Sequence, residues 1–153
     1  MVITNVKIVT LNKVIENGYV IINGDKILSV NEGHYQGEDK DIIDGGNKIL
    51  MPGFIDVHIH GSAGIDFMDA SEEDYKIIST SLFKEGVTGY LATTLTSDLD
   101  SLIKVAKNVK KAIKDNPSLI GIHLEGPYIN AKYKGAQNEL YIRKPDILEF
   151  DKL

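Results

Sequence analysis

Two short stretches of the chain hold residues that could do metal chemistry. Pro52-Gly53-Phe54-Ile55-Asp56-Val57-His58-Ile59-His60-Gly61 places two histidines two positions apart. Gly121-Ile122-His123-Leu124-Glu125-Gly126-Pro127 places a glutamate two positions after a histidine, just before a Gly-Pro break. Alternate residues of a strand share a face. Phe54, Asp56, His58 and His60 are then expected on one face and Ile55, Val57 and Ile59 on the other, the apolar one suited to packing under helices. By the same rule His123 and Glu125 share a face, and Ile122 and Leu124 point away. Neutral imidazoles spaced like this at the C-terminal end of a strand can reach one cation. A carboxylate buried at such an end needs a cation or another partner, because an unpaired buried charge is too costly.

These patterns make His58, His60 and Glu125 candidate metal ligands, with His123 one layer deeper as a supporting hydrogen-bonding residue. The competing expectations are a satisfied core role for the histidines and an ion pair with a lysine for Glu125. The chain has no cysteine, so only nitrogen and oxygen donors are on offer. Such donors suit Zn, Fe, Mn or Co, and two His and one Glu suit a hydrolase that activates water on a divalent ion.

Composition narrows the field further. The 153 residues carry 17 basic and 22 acidic side chains, a net charge of -5. That balance argues against a nucleic-acid partner, which calls for a basic stripe. No apolar run approaches the roughly 20 residues that span a bilayer. No charged-then-apolar leader opens the chain, so a cytoplasmic protein with no membrane partner is expected. There is no Gly-rich dinucleotide fingerprint, phosphate loop or serine nucleophile elbow.

The elements that must position the candidate ligands follow from periodicity. Val2 to Val9 is a strand candidate, and Tyr19–Ile22 and Lys26–Val30 flank Asn23-Gly24, a strong hairpin signal. Ile42-Ile43, a turn-like Asp44-Gly45-Gly46 and Lys48–Met51 complete what reads as a small all-β layer of hairpins over residues 1–51. From residue 52 onward strands alternate with helices. Phe54–His60, Val87–Thr94 and Leu119–Leu124 are the strands. Ser71–Asp74 opens one helix with Tyr75, Ile78 and Leu82 on its apolar face. Ser97–Asp100 opens a second, with Leu99, Leu102, Ile103, Ala106, Val109 and Ile113 on its face. Such alternation implies right-handed βαβ units and a parallel sheet. The fold class expected is α/β: about three βα units, the N-terminal part of a (β/α)8 TIM barrel over residues 52–153, preceded by the small all-β layer. A closed eight-fold barrel takes about 250 residues, so the chain reads as the first part of a longer protein.

Taken together, these residues resemble the amidohydrolase superfamily and, within it, the N-acetylglucosamine-6-phosphate deacetylases. Pro52–Gly61 is similar to the superfamily's first-strand metal motif. Gly86–Ser97 is similar to the deacetylases' second-strand segment, and His123–Tyr128 followed by Lys134-Gly135-Ala136-Gln137 is their most specific mark. The resemblance implies hydrolysis of the acetamide of an amino-sugar phosphate, giving glucosamine 6-phosphate and acetate. It implies Glu125 as a metal ligand, His58 and His60 as ligands of a second ion, and Ala136 and Gln137 as substrate contacts. It also implies one or two divalent ions and a homodimer for the full-length protein. The general acid/base Asp is expected beyond Leu153, so no catalytic proton-transfer residue is expected within these 153 residues, which alone are expected to be inactive. The alternatives are a cyclic-amide hydrolase of the same superfamily and a short non-catalytic binding module.

Overall fold

Runs rich in valine and isoleucine form four strands early in the chain: β1 (Val2–Val9), β2 (Val14–Asn23), β3 (Lys26–Glu32) and β4 (Ile42–Leu50). The computed structural model describes residues 1–153 and resolves them into two compact units, Met1–Pro52 and Gly53–Leu153. In the first unit the strand order is β3-β2-β1-β4. A hairpin forms between β2 and β3, but its turn sits one residue later than Asn23-Gly24: Asn23 is the last residue of β2, paired with Lys26, and the turn residues are Gly24, at φ 59°, and Asp25. Val6, Ile8, Ile15 and Val20 are its buried core.

Two further expectations for this unit need correction. The last strand does not close a hairpin: β4 runs parallel to β1. Asp44-Gly45-Gly46 is not a turn but lies inside β4, where the register slips between Thr4↔Asp44 and Val6↔Lys48. The Asp44 carboxylate accepts the Gly46 N–H at 2.9 Å and the Asn5 side-chain amide at 3.0 Å, so a turn-like sequence is absorbed as a bulge. A Cβ at Gly45 would run into the Val6 side chain, which is why glycine stands there.

The second unit holds β5 (Phe54–Ile59), the small antiparallel pair β6 (Gly61–Ser62) and β7 (Ile65–Asp66), α1 (Asp74–Lys84), β8 (Val87–Thr93), α2 (Leu99–Ala112), β9 (Leu119–His123) and a single closing turn, α3 (Ile147–Phe150). β5, β8 and β9 form a parallel sheet with β8 in the centre. The fold is mixed α/β. Its core lies on the helix side of the sheet, where Tyr75, Ile78 and Leu82 of α1 and Val105, Val109 and Ala112 of α2 meet Tyr90, Ala92 and Leu119. No helix is long and apolar enough to cross a membrane.

Helix details differ from the periodic reading. Asp98, not Ser97, caps α2, accepting the Ser101 N–H at 2.9 Å. Val105 and Ala112 join its buried face, and Ile113 turns outward as the last turn tightens to 3-10 geometry. At α1 the Ser71 backbone N–H and hydroxyl both donate to Asp74, so only half of the anticipated capping box forms. The strict alternation expected along 54–60 is also broken. β5 ends at Ile59, and its register with β8 shifts between Asp56↔Tyr90 and Ile59↔Ala92. Ile59 packs on the helix-side core, whereas Ile55 lies beside Gly89 and Ile120 on the face away from the helices. Ile55 and Val57 are therefore exposed, at 63% and 58%, rather than covered by helices.

Candidate metal centre

The two histidines are delivered by a strand. His58 sits near the end of β5 and His60 just after it, and both turn their Nε2 atoms toward Glu125. The backbone around them is pinned at three points. The Asp56 carboxylate accepts the His58 N–H at 3.0 Å, the Thr93 hydroxyl oxygen accepts the Ile59 N–H at 2.9 Å, and His123 Nδ1 donates to the Val57 carbonyl at 2.7 Å. A carbonyl can only accept, so that last bond places a proton on His123 Nδ1. The His123 ring packs edge-on against His58 at 4.7 Å between centroids.

Glu125 reaches the same point from the segment that follows β9. Its Oε2 lies 3.1 Å from His58 Nε2 and 2.9 Å from His60 Nε2, and its partners are these histidines rather than a lysine. One ligand atom from each of the three residues falls within 4.8 Å of the other two. Metal–donor distances near 2.0–2.2 Å place neighbouring donors roughly 3.0–3.4 Å apart around a four- to six-coordinate ion, close to the two His–Glu spacings. The donor set passes the same test: two neutral imidazoles and one carboxylate suit a divalent ion of the Zn, Fe, Mn or Co kind. All three side chains keep 30–46% exposure, which leaves the point open to small molecules.

The segment 131–143 is placed against the loop that follows β8. Gln137 is buried, and its side-chain carbonyl accepts the Thr96 N–H at 2.7 Å. Ala136 is exposed. Arg143 donates to the Glu149 carboxylate from both Nε and Nη2, and its Nη1 also donates to the Ser97 carbonyl at 3.1 Å. Sequence reasoning did not assign Thr93 and Thr96 to the site. The signal available was a threonine cluster at the C-terminal end of an otherwise apolar strand.

Residues 49–152 match the amidohydrolase family. The chain belongs to that family. Amidohydrolase relatives align along its whole length: an N-acetylglucosamine-6-phosphate deacetylase of Bacillus subtilis is 41% identical, over 99% of this chain and 40% of its own. The crystal structure of an N-acetylglucosamine-6-phosphate deacetylase from Thermotoga maritima superposes with a TM-score of 0.83 at 36% identity, covering 100% of this chain and 39% of that one. A Mycobacterium smegmatis N-acetyl-D-glucosamine-6-phosphate deacetylase variant, solved in complex with N-acetyl-D-glucosamine-6-phosphate, superposes at 0.87 with 25% identity, over 99% and 39% of the two chains. The chain thus spans about 40% of the length of the relatives it matches.

Proposed function

We propose that this chain carries part of the metal centre of a hydrolase that removes the acetyl group from N-acetylglucosamine 6-phosphate. The observation that supports this most is the convergence of His58, His60 and Glu125, from the end of β5 and the segment after β9, onto one point. The names of the relatives, and the sugar phosphate bound in the Mycobacterium smegmatis structure, supply the substrate class. In this reading residues 1–51 are a small β domain and residues 52–153 the first βα units of a TIM barrel. The full-length protein is a cytoplasmic homodimer.

The chain's own residues divide the work. His58 and His60 would hold the ion through Nε2 as neutral donors, and Glu125 would contribute negative charge to the same centre. A divalent ion held there lowers the pKa of water and polarises an amide carbonyl. His123 and Thr93 keep the two imidazoles aimed by fixing the β5 backbone at Val57 and Ile59. Ala136 and Gln137 are the substrate contacts in this assignment. The Gln137 carbonyl is already bonded to Thr96, so its amide N–H2 is the end that could meet a sugar oxygen. The general acid/base carboxylate is assigned outside residues 1–153, and this chain alone is expected to release no acetate.

The test compares the full-length protein with its Glu125→Gln variant, each loaded with Zn2+ or Co2+, by acetate release from N-acetylglucosamine 6-phosphate. Turnover that chelators abolish and Glu125→Gln reduces by roughly a hundredfold or more supports the reading, since metal-ligand loss should exceed the 10–100-fold cost of losing a supporting contact. Acetate release indifferent to both would exclude it.

A further inference from the structure

We infer that Thr96 and Gln137 act as a clamp that positions Glu125. The inference rests on reading His58, His60 and Glu125 as metal ligands and adds two positioning residues to that centre. Glu125 lies beyond the last residue of β9, His123, so no ladder pairing holds it. Instead the Thr96 hydroxyl donates to the Glu125 main-chain carbonyl at 3.2 Å. The Thr96 N–H in turn donates to Gln137 Oε1 at 2.7 Å. Gln137 is itself held by the turn it closes: its N–H donates to the Lys134 carbonyl at 3.1 Å, and Lys134 Nζ donates to the Gln137 carbonyl at 3.3 Å.

The chemistry of the two side chains suits this role. Thr96 and Gln137 are only 4% and 6% exposed, so water cannot readily replace either partner. The clamp grips the main chain of Glu125 and leaves both carboxylate oxygens to the centre. A bond to the carboxylate would compete with the cation for its lone pairs. Gly126 confirms how closely the chain approaches: its φ is 83°, and a Cβ there would run into the Thr96 hydroxyl. Threonine serves because one residue must both donate from a hydroxyl and offer a free backbone N–H. Gln137 serves because its amide supplies the acceptor without adding a second negative charge beside Glu125.

The clamp is tested by Co2+ titration of the full-length protein, following the visible absorption of the bound ion, with thermal melts followed by circular dichroism. Thr96→Val and Gln137→Leu each remove one bond with little change of shape, and should weaken Co2+ binding roughly 10–100-fold while the protein still melts cooperatively. Thr96→Ser keeps the hydroxyl donor and should restore most of the affinity. If Thr96→Val loses its cooperative melt, Gln137→Leu, which leaves the threonine intact, decides by the same titration. Wild-type affinity in Thr96→Val and Gln137→Leu, alongside lost binding in Glu125→Gln, would overturn the clamp and leave the metal centre standing. Co2+ binding that is indifferent to Glu125→Gln would overturn the centre and the clamp with it.

Discussion

The two arms of the candidate centre are built differently. His58 and His60 stand at the end of a strand that is paired to β8, with Thr93 and His123 pinning its backbone at Ile59 and Val57. Glu125 stands past the end of β9, in a segment held by Thr96 at the Glu125 carbonyl and by the Arg143 N–H at the Pro127 carbonyl, with Gln137 bracing Thr96. One arm rides on a strand with ladder pairing beneath it, reinforced by long-range side-chain hydrogen bonds; the other has no ladder pairing and rests on such bonds alone. The first requires the parallel sheet to assemble, whereas the second also requires the loop after β8 and the 131–143 segment to close on each other. The arm that depends on loops is the one that conditions should loosen first.

The largest expected effect removes the support common to both arms. Ile78→Ala opens a cavity under β8, where Ile78 is fully buried among Tyr75, Tyr90 and Val105, and should cost about 2–5 kcal/mol in urea unfolding. Both arms should then lose Co2+ binding together. Next, Thr93→Val leaves the Ile59 N–H without its acceptor and should cost about 1–3 kcal/mol, while Thr93→Ser should not. This variant strikes the histidine arm alone, so amide exchange should rise over 54–60 and stay unchanged over 126–143.

Acid should do the reverse. The Arg143 guanidinium holds the Glu149 carboxyl below its ordinary range, with help from the Tyr128 hydroxyl. A depressed native pKa means that this contribution is in place above about pH 4.5 and fades as pH falls through the lower native value. Proteolysis of the 131–143 segment should therefore begin at a higher pH than any loss of β5, and Arg143→Met should remove that acid step.

The smallest effect is a control that touches neither arm. Tyr75 is fully buried, its hydroxyl has no partner, and burial, then the nearby Tyr90, push its pKa up to about 12. Tyr75→Phe should raise stability by up to about 1 kcal/mol, by deleting an unsatisfied polar group. It should also lessen the loss of stability above about pH 10, because the folded protein resists ionising this phenol and the unfolded chain does not.

Much of this could be read from local pattern. The β2–β3 hairpin, though not its exact turn residues, the β8 strand, the buried Tyr75, Ile78 and Leu82, and the edge-on neighbourhood of His58 and His60 all arise from residues within a few positions of one another. The larger misreadings arose where a neighbour far along the chain intervened. Asp44-Gly45-Gly46 looks like a turn until Asn5 and Val6 of β1 absorb it as a bulge. The even alternation of Ile55, Val57 and Ile59 fails because pairing with β8 shifts register within β5.

The sequence by itself determined which atoms are available: two imidazoles spaced for one strand, one carboxylate before a chain break, and no thiol. It also determined the helical period that buries Tyr75, Ile78 and Leu82 of α1, because side-chain direction follows backbone repeat. Only the tertiary structure decided that Glu125 faces His58 and His60 across 67 and 65 residues of chain. It alone decided that Thr96 and Gln137 would meet across 41 residues to hold that glutamate there. Those meetings depend on strand order and loop closure, and no periodicity in one segment records where another segment will return.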